Sequence, residues 1–330
     1  MKQLVSMLLL AISFQLHAAS LDDYFSSNKL ENVCKKTLRT SNGNIWRTFQ
    51  PRFDFEQGEL FYSIREPGNQ YVVTRLKDLT TSDDLYASND KIIDIEVEGE
   101  VLWIAHKEYI NKYNLITGDL KKIKTLPVDR PLTKHEVIHD IHYMNDVLYV
   151  AQGVRGVFAI DKNSDQVIWN EYFNINQSNG HRSKVINIVG ENGTLYAGLD
   201  NLTMPTRNSS PFNGFIKFDA NNPQIFTESP YDRRRAGIMA YAHTTIKDDV
   251  VYINNMGHLQ YLETKVFKAN KKLRPKWYPN WYQDVDLRRT AMWTGNVLIE
   301  NNTGYGCAHF NYFQNQPKPQ KVARPLITNF

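Results

Sequence analysis

The chain has 330 residues, of which 42% are hydrophobic and 12% aromatic, and a formal charge of +4. That length fits one large domain or two ordinary ones. The modest charge argues against a nucleic-acid binder, and the wealth of Tyr, Val, Ile and Thr favours sheet over a helical bundle.

The N-terminus reads "MKQLVSMLLLAISFQLHAAS". Lys2 precedes an apolar stretch from Leu4 to Leu16, and the small residues Ala18 and Ala19 close it. This is the pattern of a cleaved secretory signal, residues 1–19, and it is short for a membrane span. No later segment is long and apolar enough to span a bilayer. Residues 20–330 are expected to form a single exported domain, periplasmic or extracellular, and a monomer on its own. Only two cysteines are present, Cys34 and Cys307, near opposite ends of that domain. In an oxidising compartment such a pair is a disulfide candidate, and a bridge closing so long a loop contributes roughly 4–5 kcal/mol. Two buried thiols are the alternative.

A repeat runs through the rest. "KIIDIEVEGEVLWIAHKEYINKYNLITGDLKKI" from Lys91, "EVIHDIHYMNDVLYVAQGVRGVFAIDKNSDQVIW" from Glu136 and "KVINIVGENGTLYAG" from Lys184 share one plan. An alternating apolar strand, a short polar turn and a second strand lead to a third that ends near Asp or Asn. Weaker copies start at Arg52, Met239 and Arg288. Second strands start near Leu60, Leu102, Leu148, Leu195, Val251 and Val297, a period of about 42–56 residues. That is the size of a four-stranded propeller blade. The expected fold is an all-β six-bladed β-propeller, with seven blades as the alternative count. The N-terminal piece "NVCKKTLRT" is expected to supply the outer strand of the last blade, where a Cys34–Cys307 bridge would lock the ring.

Two repeats resemble a known family. In "RGVFAIDKNSDQVIW", Gly156, Ala159, Asp161 and Trp169 fall on the quinoprotein-type (PQQ-like) propeller repeat, and Thr117-Gly118 match its Thr-Gly turn. The resemblance implies the propeller fold and kinship with periplasmic scaffold propellers such as outer-membrane assembly factors, rather than a dehydrogenase. No cofactor is expected.

His135-Glu136-Val137-Ile138-His139 has the letters of a zinc peptidase site. That chemistry needs a helix presenting both histidines on one side, with the Glu as general base. The repeat places Asp140-Ile141 level with Asp94-Ile95 of a copy that lacks histidines. A strand and its lead-in loop are therefore the competing reading.

The same alignment isolates one polar position on each first strand: Arg52, Asp94, Asp140, Asn187, His243 and Arg289. First strands line a propeller's axial channel. These residues either hydrogen-bond one another or coordinate a ligand. Inter-blade loops collect on one face, which would hold Arg182, Arg233, Arg234, Arg235, Trp277 and Trp281. Arginines beside Trp-Tyr pairs suit recognition of another envelope protein or an anionic or glycan ligand. The opposing reading packs the tryptophans under their own loops and leaves the arginines solvated. The expected function is non-enzymatic: a periplasmic interaction or scaffold module, or an inhibitor-type propeller. The alternatives are a carbohydrate-active or lyase propeller working through channel residues, and the zinc peptidase.

Overall fold

The computed structural model describes residues 19–39, 51–66, 68–125, 132–133, 135–173, 184–200, 214–230, 242–255, 258–269, 271–274, 276–277, 289–312 and 321–329. Among them no helix is long and apolar enough to cross a membrane.

The strands form six antiparallel sheets. Blade one holds β1 (Arg52–Glu56), β2 (Glu59–Arg65), β3 (Tyr71–Leu76) and β4 (Ser82–Ser88). Blade two holds β5 (Ile92–Glu98), β6 (Val101–His106), β7 (Ile110–Asn114) and β8 (Leu120–Ile123). Blade three holds β9 (Asp140–Met144), β10 (Val147–Ala151), β11 (Val157–Asp161) and β12 (Val167–Glu171). Blade four holds β13 (Lys184–Glu191), β14 (Thr194–Asp200), β15 (Gly214–Asp219) and β16 (Asn222–Pro230). Blade five holds β17 (Ala242–Lys247), β18 (Val250–Asn255), β19 (His258–Glu263) and β20 (Lys276–Trp277). Blade six has three strands among the described residues: β21 (Arg289–Glu300), β22 (Thr303–Tyr312) and β23 (Lys321–Asn329). Each first strand neighbours the next, and β21 returns to β1, so the ring is closed. The chain is a six-bladed propeller.

Local chemistry sets each blade. The turns from first to second strand are Gln57-Gly58, Gly99-Glu100, Asn145-Asp146, Asn192-Gly193, Asp248-Asp249 and Asn301-Asn302. In all but the Gly99-Glu100 turn both residues have positive φ, between 48° and 80°. That is the two-residue turn whose twist suits a hairpin, and Asn, Asp and Gly tolerate it best. The third strands of blades two and three end on Asn114 and Asp161, whose side chains cap the following turn. Asn114 accepts from the Thr117 N–H (2.8 Å) and Asp161 from the Ser164 N–H (2.7 Å). Gly156, the glycine of the family-like repeat, has φ +82°, and a Cβ there would meet the Glu171 carbonyl oxygen at 1.9 Å.

The core is divided among the blade interfaces, because each thin sheet buries its faces only against its neighbours. Phe61, Ile92 and Leu102 fill the junction of blades one and two. Trp103, Ile141 and Phe158 fill the next, and Tyr149, Ile188 and Phe218 the one after. Tyr196, Val251 and Phe267 join blades four and five, and Tyr252, Leu259 and Val297 join five and six.

The closing junction differs from expectation. The segment around Cys34 is not a strand. Leu21–Phe25 form a short helix, α1, and Asn28–Arg39 a second, α2. Leu30, Val33 and Cys34 recur at helical spacing and are buried with Phe53, Leu60 and Tyr305 between blades one and six. Helical burial of one apolar stripe outcompetes the strand pairing expected for an outer edge. Cys34 is disulfide-bonded to Cys307 of β22, with 5.4 Å between their Cα atoms. The Tyr24 hydroxyl adds a buried clamp, donating to the carbonyls of Leu76 (2.9 Å) and Gly58 (3.0 Å). The ring is thus latched by a helix and a disulfide.

Candidate functional site

Each of the six aligned polar residues falls eight positions before the residue taken as its second-strand marker. Counting back from the Asn301-Asn302 turn gives the sixth position as Asn296, not Arg289. Arg289 lies at the far end of β21, opposite Tyr312. The misassignment arose because Val297 belongs to the first strand of its blade, not the second.

Arg52, Asp94, Asp140, His243 and Asn296 line a cavity on the axis of about 140 Å³. Asn187 is fully buried at a bulge of β13, apart from that lining. Two residues further along the strands, Asp54, Glu96, His142 and Thr245 form a second polar tier of the same cavity. This second tier was legible in the alternation of β1, β5 and β9, but a single aligned column does not reveal it.

Arg52 is the hub of the first tier. Its Nε donates to the Ile93 carbonyl (2.6 Å) and sits 3.2 Å from Asp94 Oδ1. A guanidinium N–H lies 2.9 Å from His243 Nε2. Arg cannot accept, so Nε2 is the acceptor and His243 carries its proton on Nδ1. Burial first, then the charges of Arg52 and Lys91, push the His243 pKa well below the usual range, which agrees with a neutral ring. Asp140 is held well above the usual carboxylate range, by burial first and then by Asp94, with which it shares a hydrogen bond.

The second tier repeats the logic. Burial, then Glu96, raises Asp54 well above its usual value. His142 Nδ1 lies 3.1 Å from Glu96 Oε1, and Nε2 lies 2.9 Å from the Gly190 carbonyl. With acceptors at both nitrogens the ring is doubly protonated. Burial works against that charge, yet the Glu96 carboxylate prevails and the His142 pKa is raised.

Most of these side chains bridge to the next blade. Asp54 accepts from the Val97 N–H. Glu96 accepts from the Tyr143 N–H (2.9 Å), and Asp140 from the Ile188 N–H (2.9 Å). Glu191 accepts from the N–H groups of Asp248 (3.1 Å) and Asp249 (2.9 Å). Thr245 donates to the Val297 carbonyl (2.9 Å), and Asn296 both accepts from the Phe53 N–H (2.8 Å) and donates to its carbonyl (2.7 Å). Every junction of the ring carries such a strap. Within the ring itself, Arg52 pairs with Asp94 and His243, and Asp94 with Asp140.

The peptidase pattern lacks its helix. Residues 135–139 are turn, bend and irregular backbone leading into β9. Glu136 accepts from Arg155 Nε (2.7 Å) and from the Thr133 N–H (3.0 Å), so the carboxylate is occupied by a local clamp. Among the described residues no three His, Cys, Asp or Glu side chains converge as metal ligands. Of the expected recognition face, Arg182, Arg233, Arg234, Arg235 and Trp281 lie outside the described residues. Trp277 is placed by its backbone alone, in β20 opposite Gln260.

No family model matches the chain, and no curated sequence matches it significantly. Several solved structures are similar in trace. BamB from Moraxella catarrhalis has a TM-score of 0.44 at 10% identity, over 84% of this chain and 76% of its own. The extracellular domain of the putative one component system BT4673 from B. thetaiotaomicron has 0.48 at 13%, over 85% and 39%. The computationally designed protein Ika8 has 0.48 at 8%, over 86% and 72%. At these identities the likeness concerns fold alone.

Proposed function

We propose that the protein is an exported, non-enzymatic binding propeller: a periplasmic protein-interaction or envelope-scaffold module, with an inhibitor-type propeller as a specialised form. One observation carries this. The polar side chains of the axial channel, where a propeller enzyme of this size would place its chemistry, are committed to straps between blades. The cavity they leave, about 140 Å³, is smaller than the ~300 Å³ at which small-molecule sites begin. Export draws its support from the signal-like segment 1–19 and from the disulfide, which persists only in an oxidising compartment.

Recognition then falls to the face of inter-blade loops bearing Arg182, Arg233–Arg235, Trp277 and Trp281. The partner is another envelope protein, or an anionic or glycan ligand. Arg234→Ala and Trp281→Ala test this. Each variant is expected to abolish partner capture from an envelope extract while keeping the wild-type melting temperature. Variants that retain every partner would remove that face from consideration.

A further inference from the structure

The meander order of each sheet puts two of its turns on one face of the propeller: the first hairpin, and the corner between third and fourth strands. Connections between blades leave from the opposite face. First strands stand side by side around the axis, so the first hairpins ring one mouth of the channel. Each places a carboxylate in its turn or beside it: Glu56, Glu98, Asp146, Glu191, Asp248 and Glu300. The whole chain carries a formal charge of +4, so this mouth runs against the sign of the molecule.

Hydrogen bonds hold the mouth in shape. Glu191 accepts from the N–H groups of Asp248 (3.1 Å) and Asp249 (2.9 Å), which sets the blade-five hairpin against blade four. Asp146 accepts from the Tyr143 hydroxyl (2.9 Å) and stands 3.8 Å from Lys162 Nζ. Carboxylates from neighbouring blades also act on one another. The Glu98 pKa is raised, by burial first and then by Glu56; Lys162 opposes this, and Asp146 and Glu96 add to it.

The outer rim of the same face is apolar. Leu79 (43% exposed), Ile116 (71%), Ile168 (56%), Ile225 (72%) and Val266 (37%) sit at the third-strand corners of blades one to five. Ile168 and Ile225 stand where the β11–β12 and β15–β16 pairings shift register, and the next residue, Trp169 or Phe226, packs inward. Such bulges re-aim a side chain. Single apolar side chains on a surface need no partner, but these recur at one corner of successive blades, beside a mouth whose charge selects what can approach. An anionic lipid surface is repelled there and a cationic partner drawn in. Two strand spacings, about 10 Å, separate a hairpin turn from the corner of its blade, which about three residues of extended chain span.

We propose that this face docks a cationic polypeptide segment of another protein, its basic side chains over the mouth and an aliphatic side chain at a blade corner. The inference does not rest on the recognition face proposed above, which is the opposite one: loss of capture in the Arg234→Ala variant would leave it standing.

The test is fluorescence anisotropy of a labelled peptide, KKKKKKGGLL, titrated with the purified protein at low ionic strength. Saturable binding that weakens with added salt is expected. KKKKKKGGSS should bind more weakly, and EEEEEEGGLL not at all. Glu56→Gln/Glu98→Gln should weaken binding by about tenfold, the loss of two ion pairs near the surface. Ile116→Ser/Ile168→Ser should weaken it by about fivefold. The charge-matched variant Glu66→Gln/Glu108→Gln, on the opposite face, should match wild type. Should the half-buried Glu98 prove necessary for folding, the exposed pair Glu100→Gln/Asp248→Asn decides. No saturable binding, equal binding of the leucine and serine peptides, an equal loss in the opposite-face variant, or binding of phosphatidylglycerol vesicles in place of the peptide would overturn the proposal.

Discussion

Arg52 shows how a single side chain can be structural in a place where function is expected. It is 7% exposed and reaches Asp94, His243 and the Ile93 carbonyl from one guanidinium. Arg52→Met removes the charge that compensates Asp94 and is expected to cost about 3–5 kcal/mol in chemical denaturation, as for other broken buried pairs. A loss below about 1 kcal/mol, the value of a surface pair, would mean that the tier does not hold the ring together. The titrating groups give a pH signature. Asp54, Asp140 and His142 have raised pKa values in the fold, so the stability they contribute is lost as pH rises through those values. His139 and His243 are lowered, so theirs is present above the usual histidine value and lost as pH falls. Stability should therefore decline on both sides of a mildly acidic to neutral optimum. Asp140→Asn, which mimics the protonated acid and can still accept from Ile188, should flatten the alkaline limb by on the order of 1 kcal/mol. Melting curves across pH that are parallel for the variant and the wild type would contradict this.

At the scale of the element, the latch is the test. Reducing the ring to Cys34→Ser/Cys307→Ser removes a link across 273 residues, and about 5 kcal/mol of stability is expected to go with it. Hydrogen exchange should accelerate in α2 and β22 before it does in blades two to four. Uniform acceleration over all blades would show that α2 is not a local closure. The first hairpins of blades one to five were legible because each carries an apolar alternation and a left-handed turn with Asn, Asp or Gly. Blade six was not, because its first strand is twelve residues long, and an apolar run inside it mimicked a second strand. The Asn301-Asn302 turn held the correct register. For α2 the sequence carried the signal as well: Leu30, Val33 and Cys34 follow the helical period, but the demand for a closing strand was given more weight than the local pattern. The His135–His139 letters misled in the other direction, since a zinc motif has meaning only on a helix.

For the whole molecule, the ring divides labour between its axis and its rim. Hydrophobic clusters sit at every blade junction, and polar straps close the same junctions at the axis. The number of blades and the disulfide followed from periodicity and cysteine count, quantities that a sequence states directly. The second polar tier depends on which side chains from different blades meet, and only three-dimensional register supplies that. The partner is not written in either. The most direct measurement is therefore quantitative capture from an envelope extract, comparing the wild-type chain with an Arg234→Ala/Trp281→Ala double variant matched in melting temperature. The account predicts a partner held by the wild type and lost by the variant. Equal capture by both, or substrate turnover that disappears on His243→Gln, would contradict it.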